Sequence, residues 1–329
     1  MKRFIDELLA GLIATCALAG APNQALAQPA AAYPAKPIRI VIKFPPGGGV
    51  DTVGRLVADR LMRTRGWSMI MDNRPGANGN IGTELVAKSA PDGYTLLLTS
   101  NSHNINVYIY RNPGYDARKD LAAIVQLTEA PSVLVTRAQS PYRSLKEVVN
   151  AARSQPGMLV YGTSGSGSPT HIAGEMFKKA ANIDLTHIPY KGGGPANQDV
   201  LAGQIPLAMS ALPAVMSQLQ AGTLRALAMT SEKRWPGLPD VPTVAESGYP
   251  KFSHLTWIGM LAPSGTASPI IARLNREIAA VLANPDMRER IAGLGAEPVG
   301  KSPADFEAML KAEYEATGPL VSQIGLKVE

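Results

Sequence analysis

The stretch IRIVIKFPPGGGVDTVGRL, residues 38–56, holds a β-branched apolar run, two prolines, three consecutive glycines and the start of a helical pattern. IRIVI (38–42) is short and almost wholly apolar, as expected of a strand buried on both faces of a sheet. In DTVGRLVADRLMRTR, Val53, Leu56, Val57 and Leu61 recur at helical spacing, and Asp51 or Thr52 is placed to cap the helix. Between strand and helix, Phe44, Gly47, Gly48 and Gly49 lie in a loop whose backbone N–H groups have little side chain around them. A helix start carries free N–H donors and the positive end of the helix dipole, so such a loop suits an anion. Glycine matters here because a Cβ would hold the ligand away from the backbone.

The same design occurs twice more. MLVYG (158–162) runs through TSGSGSP into THIAGEMF, and DLTHIPY (184–190) runs through KGGG into PANQDVL. In open α/β sheets, ligands sit beyond the carboxyl ends of the strands. Three such ends directed at one cleft would surround a carboxylate with neutral donors, and Thr163, Ser164, Ser166 and Ser168 would add hydroxyls. None of the three loops is a phosphate-binding GxxxxGK[ST], none completes GxGxxG, and there is no GxSxG nucleophile elbow. Nucleotide binding and acyl transfer thus lose their usual sequence support.

Outward from these loops, strand and helix signals alternate along the chain: YTLLLTS (94–100), SVLVT (132–136), a helix from Ser144 closed by Pro156 and Gly157, strands in IPLAMSA and LRALAMTS, then three helices from residue 267 onward. Alternation of this kind predicts a mostly parallel α/β architecture with both sheet faces covered. The 329 residues are 45% hydrophobic and 18% charged, which suits a globular chain large enough for two lobes. The first 27 residues differ: a basic MKRF start, the apolar run LLAGLIATCALAGA and a small-x-small Ala25-Leu26-Ala27 read as a cleaved secretory signal peptide. The run is shorter than a membrane span needs. Cys16 is the chain's single cysteine, so an exported mature chain would have no disulfide and would depend on its core. The signal holds two basic and two acidic residues, leaving the net charge at +6 without it. That modest, dispersed excess suits capture of small anions and gives no basic stripe for nucleic acid.

Catalytic or metal constellations are scarce. His103, His171, His187 and His254 are far apart and form no HExxH or i, i+4 pair, so no metal or cofactor is expected. His171 reads as a capping or packing histidine of the serine loop. The alternative is an exported hydrolase or lyase acting on a small carboxylic acid through Asp51, His171 and a loop serine.

Several segments taken together carry a resemblance. FPPGGGVD, DNRPGANGNIGTELVAKSAPDGYTLLL, GTSGSGSPTHIAGEMF, HIPYKGGGPANQDVLAGQI, LRALAMTS and LPDVPTVAESGYP, in order from about Tyr33 to the C-terminus, resemble the Bug-type extracytoplasmic solute receptors associated with tripartite tricarboxylate transporters. The resemblance implies a type II periplasmic-binding-protein fold of two α/β lobes with a ligand cleft between them, lobe I from 36–131 and 232–329 and lobe II from 132–231. It implies a periplasmic, non-enzymatic, monomeric receptor for a small mono- or dicarboxylate, aromatic acids included, partnered by membrane transporter subunits or used in sensing. Mapped onto this chain, the ligand residues are Phe44, Gly47, Gly48, Gly49, Asp51, Thr163, Ser164, Ser166, Gly167, Ser168, Tyr190, Lys191 and Gly192, with Asn101 on the floor between the lobes. A Cβ at Gly48 or Gly167 is then expected to occupy ligand space. Lys43 and Met209-Ser210-Ala211 depart from the family's pattern near strand ends, and the added lysine with no aspartate implies an acidic or neutral ligand rather than an amino acid.

Overall fold

The computed structural model describes residues 33–326, and the expected signal peptide lies outside them. From Pro34 onward the chain belongs to one compact unit. Its elements are β1 (Ile38–Ile42), α1 (Gly49–Arg65), β2 (Met69–Asn73), α2 (Asn80–Ala87), β3 (Thr95–Ser100), α3 (Ser102–Ile109), β4 (Leu121–Arg137), α4 (Leu145–Ser154), β5 (Val160–Thr163), α5 (Pro169–Ala181), β6 (Thr186–Pro189), α6 (Gly193–Ala202), β7 (Leu207–Ala211), α7 (Met216–Gln220), β8 (Leu224–Met229), β9 (Leu255–Pro263), α8 (Ser268–Ala283), α9 (Pro285–Gly293), β10 (Glu297–Pro298) and α10 (Pro303–Ile324). Short 3-10 turns stand at Ala77–Gly79 and Leu212–Ala214.

The IRIVI run becomes an inner strand, parallel to β2 on one side and β3 on the other, with Ile38, Ile40, Val41 and Ile42 fully buried. The helix that follows starts earlier than its sequence suggests. Gly48 is the N-cap and Gly49 the first helical residue, so Asp51 sits inside the first turn rather than at the cap. From there its carboxylate reaches back to accept from the Gly47 N–H at 3.0 Å, fixing the loop from within. Helix α4 begins as expected, with the Ser144 hydroxyl accepting from the Glu147 N–H and the Glu147 carboxylate accepting from the Arg143 N–H. Its stripe of Leu145, Val148, Val149 and Ala152 is buried.

The sheet is mixed, not mostly parallel. Its strand order is β2-β1-β3-β9-β4-β7-β5-β6, with β8 and β10 also paired to β4. Strands β1, β2 and β3 are parallel to one another, as are β5, β6 and β7, but β4 runs antiparallel to β7, β8, β9 and β10. SVLVT is only the end of β4, which extends over 17 residues. Its residues 121–131 pair with β9 and residues 132–137 with β7 and β8. A strand shared by two sets of neighbours cannot be read from a local pattern, and Pro131 in its middle looks like a stop.

The two halves have separate cores. Val41, Val86, Leu97, Trp257, Leu261 and Phe306 form one, and Leu134, Val148, Tyr161, Phe177, Leu207 and Leu227 belong to another. Thr230 ties both segments that pass between the halves: its N–H donates to Ser132 O at 2.9 Å, its hydroxyl donates to His254 O at 2.6 Å, and its carbonyl accepts from the His254 N–H at 2.8 Å.

Candidate functional site

The helix starts of the two halves face one cavity of about 90 Å³. A single water needs roughly 10–15 Å³ on this measure, so the space suits a small organic molecule. Pro45, Pro46, Gly48, Gly49 and Val50 form one wall. Ser164 and Thr170 around the start of α5, Lys191–Pro195 at the start of α6, and Ala211, Pro213 and Ala214 at and after the end of β7 form the other. These walls close on each other near their tips: a Cβ placed on Gly49 would stand 3.7 Å from Pro213 Cβ, and one on Gly192 3.5 Å from Pro45 Cγ.

Among the described residues, the N–H groups of Gly48, Gly49 and Val50 have no partner in the protein, and neither do those of Gly193 and Gly194. The open ends of a 17-residue and a 10-residue helix therefore point into one small space. Their unpaired donors and dipoles favour one anion between them. Of the residues lining the cavity, Lys191 alone carries an ionisable side chain.

The serine loop is built differently. Its donors and hydroxyls mostly satisfy one another: the Ser164 N–H donates to Thr170 Oγ1, the Gly165 N–H to Thr163 Oγ1, the Ser168 N–H to Gly165 O and the Gly167 N–H to His171 Nδ1. Ser168 caps α5 by accepting from the His171 N–H. His171 stacks on His187 with ring centroids 3.6 Å apart, and His187 Nε2 lies 2.7 Å from Thr163 Oγ1. Burial lowers both imidazole pKa values, to about 4 for His171 and about 3 for His187, so both are neutral at pH 7. The packing reading of His171 fits this arrangement, since its Nδ1 is occupied by the Gly167 N–H.

The residues singled out from sequence thus divide. Phe44, Gly48, Gly49, Ser164, Lys191 and Gly192 line the cavity, whereas Gly47, Asp51, Asn101, Thr163, Ser166, Gly167, Ser168 and Tyr190 do not. Burial opposes ionisation of Asp51, but hydrogen bonds from Arg55, the Gly47 N–H and Asn73 outweigh it and hold its pKa below the usual carboxylate range. Asn101 accepts from the Trp257 N–H at 2.9 Å and donates to Glu313 at 2.7 Å, beside the cavity floor rather than on it. The Tyr190 hydroxyl donates to Asp199 at 2.6 Å. Gly167 faces Ile109, not the cavity: a Cβ on it would fall 2.0 Å from Ile109 Cδ1. The expectation that a side chain there would invade ligand space is corrected accordingly.

Lys43 brings a second correction. It is fully buried and turned away from the cavity toward Gly79 and Gly82, whose added Cβ atoms would meet its stem at 2.7 Å and its Cα at 3.2 Å. It therefore cannot read a ligand. Sequence reasoning in turn missed the cavity floor, where Ser100 of β3, Ala130 of β4, and Thr256 and Ile258 of β9 lie side by side. These four come from three strands with no glycine-rich signature, and only their pairing in the sheet assembles them.

The chain is similar to known proteins over most of its length. Residues 53–326 match the model of the family described as tripartite tricarboxylate transporter family receptor. The protein BugT of Bordetella pertussis is 37% identical over 299 residues, covering 90% of this chain and 92% of BugT. An adipate-bound protein of R. palustris superimposes with a TM-score of 0.87 at 35% identity, covering 90% of this chain and 99% of that one. The periplasmic binding protein BugD superimposes with a TM-score of 0.85 at 33% identity, covering 90% of this chain and 100% of that one. With two α/β lobes, a shared cleft and a family match spanning most of the sequence, this chain belongs to the tripartite tricarboxylate transporter family of receptors.

Proposed function

We propose that this receptor captures the carboxylate of a small organic acid between the N-termini of α1 and α6. The observation that carries the reading is the convergence of unpaired N–H groups from 48–50 and 193–194 on one small cavity. The adipate held by the R. palustris relative supports it. Phe44, Gly48, Gly49, Ser164, Lys191 and Gly192 touch the ligand. Gly47, Asp51, Thr163, Ser166, Gly167, Ser168 and Tyr190 shape the loops that do so, and Asn101 supports the floor.

Capture works by closure and involves no covalent step. The bodies that move are 36–131 with 232–329 against 132–231, an assignment supported by the change of β4 partners between Pro131 and Ser132. A ligand shifts this equilibrium by its preference for the closed state. The chain is exported by its first 27 residues and acts as a monomer in the periplasm. It delivers its acid to membrane transporter subunits or serves in sensing. No helix among the described residues is long and apolar enough to cross a membrane. A melting-point screen of the purified protein against small carboxylates and their amides tests the capture reading, since a ligand specific for the native form raises the midpoint. Acids that stabilise where their amides do not are expected; equal shifts from acids and amides would remove the carboxylate from the site.

A further inference from the structure

The last helix is fastened to both halves of the molecule. The first part of α10 is fixed to the half that contains β3 and β9: Phe306 lies in the core with Val41 and Trp257, and the Glu313 carboxylate accepts from Asn101 Nδ2 at 2.7 Å, Asn104 Nδ2 at 2.8 Å and Trp257 Nε1 at 2.9 Å. The Tyr108 hydroxyl donates to Tyr314 O at 2.8 Å. The final turns reach further. Val321 is buried in one apolar cluster with Ile105 and Ile109 of α3 and with Ile172 of α5, and Leu320, Ile324 and Met176 pack against it. Lys179 of α5 also donates to Gln323 O at 3.2 Å. Since α3 lies within 36–131 and α5 within 132–231, residues 320–324 tie one half to the other, apart from the strands that cross between them.

Between the two parts of α10 stands Thr317-Gly318-Pro319, a run of poor helix formers. The Thr317 hydroxyl donates to the Glu313 carbonyl at 2.7 Å, a back-bond to i−4 of the kind that bends helices. Gly318 passes so close to Tyr108 that a Cβ would fall 2.7 Å from Tyr108 Cε1, which is reason enough for a glycine. Pro319 has no such reason. It is exposed, it lacks the N–H that would bond the Glu315 carbonyl, and its ring crowds that carbonyl. A costly residue at the point where a helix passes from one half to the other has a use if the helix must flex there. We propose that α10 is a jointed strap: its last turns ride with α5, it bends at Thr317–Pro319 when the cleft opens, and its grip on α5 biases the molecule toward the closed form. The proposal rests on the closure reading above.

Distance measurements between two spin labels test it. Cys16 lies in the expected signal peptide, so Thr64→Cys and Lys146→Cys, at exposed positions of α1 and α4, give the mature chain one label on each half. Pro319→Ala, which restores the N–H and stiffens the joint, is expected to narrow the ligand-free distance distribution relative to the same labelled chain with Pro319. Ile324→Ala, which loosens the grip on α5, is expected to broaden it. By calorimetry, Ile324→Ala should also weaken whichever of adipate and benzoate raises the melting midpoint more, by about threefold, as when the closed fraction falls to about a third. Met309→Ala, in the part of α10 packed beside Phe306 and Trp257, is the control: it is expected to lower the melting midpoint and leave distances and affinity unchanged. A width unchanged in either Pro319→Ala or Ile324→Ala, or broadened as much by Met309→Ala, would overturn the strap and leave closure standing. A distribution in the labelled chain with α10 unaltered that does not move when that acid binds would overturn the closure reading together with this one.

Discussion

In the loop 45–49 the amides of Gly48 and Gly49 are open, while in the loop 163–168 nearly every donor is already spent on Thr163, Thr170, His171 or Gly165. Both loops are glycine-rich, both follow a strand and both precede a helix. The difference lies in what surrounds them. The first loop is held from behind by Asp51, which takes the Gly47 N–H and itself accepts from Arg55 at 2.9 Å and Asn73 at 2.9 Å, leaving the next amides for a ligand. The second is held from within and presents to the cavity mainly Ser164 and Thr170. Glycine content marks where backbone can be approached; the network behind the loop decides whether its donors are free.

Substitutions that affect binding in one loop and stability in the other would sharpen this contrast. The largest effect is expected for Gly48→Val. Gly48 has extended backbone with φ −77° and ψ 166°, and a Cβ there meets only Pro45 O at 3.7 Å, so the chain tolerates the residue. The side chain must enter the cavity, and affinity for a carboxylate should fall by about 100-fold or more, the loss of roughly 3 kcal/mol, with the melting midpoint nearly unchanged. Calorimetry with the best acid of the screen measures it; retained affinity would take this loop out of the site.

Gly167→Val should do the reverse. With φ at +70° and Ile109 at 2.0 Å from the new Cβ, it stores strain costing about 2 kcal/mol. Denaturant unfolding should register that cost, and the folded fraction should keep its affinity. Loss of binding without loss of stability would show that the serine loop grips the ligand directly.

Lys43 tests whether the sequence departure near the first loop concerns the ligand at all. Burial pushes its pKa down to about 7, against about 10.4 in an unfolded chain. The unfolded state therefore binds more protons between these values, and native stability rises with pH across that window, by about 1.5 kcal/mol from pH 7 to 8.5. Below pH 7 the penalty is complete. Lys43→Met should flatten this rise and stabilise the protein at pH 7 while leaving ligand affinity alone. A pH slope identical to wild type would disprove the burial account.

The smallest effect belongs to His171→Phe. The ring stack on His187 is kept, but the Gly167 N–H loses its acceptor, at a cost of about 1 kcal/mol. Because burial lowers the His171 pKa to about 4, wild-type stability declines as pH falls from about 6.5 toward 4. That acid-side loss should shrink in the variant, as unfolding across this range would record.

Much of the fold was legible in local pattern. The strand IRIVI, the capped helix after Ser144 and the helix after the serine loop all stand where periodicity and caps place them, because each is determined by residues within a few positions. The parallel-sheet expectation failed at β4, whose antiparallel pairing on both halves depends on segments more than a hundred residues away, β9 among them. The site was half legible for the same reason. Glycine-rich helix starts are local, so Gly48, Gly49 and Gly192 could be found, while Ser100, Ala130, Thr256 and Ile258 become neighbours only through the ladder.

The sequence by itself determined the alternation of strands and helices, the three strand-to-helix loops and the kinship with solute receptors, because backbone conformation and apolar periodicity are short-range properties. The tertiary structure decided which of those loops keeps its amides free, that Lys43 faces the core instead of the cleft, and which side chains form the floor. Each of these depends on partners distant along the chain, such as Ile109 against Gly167 or Ala130 beside Thr256, and a hydrogen bond or a cavity exists only once both sides are in place.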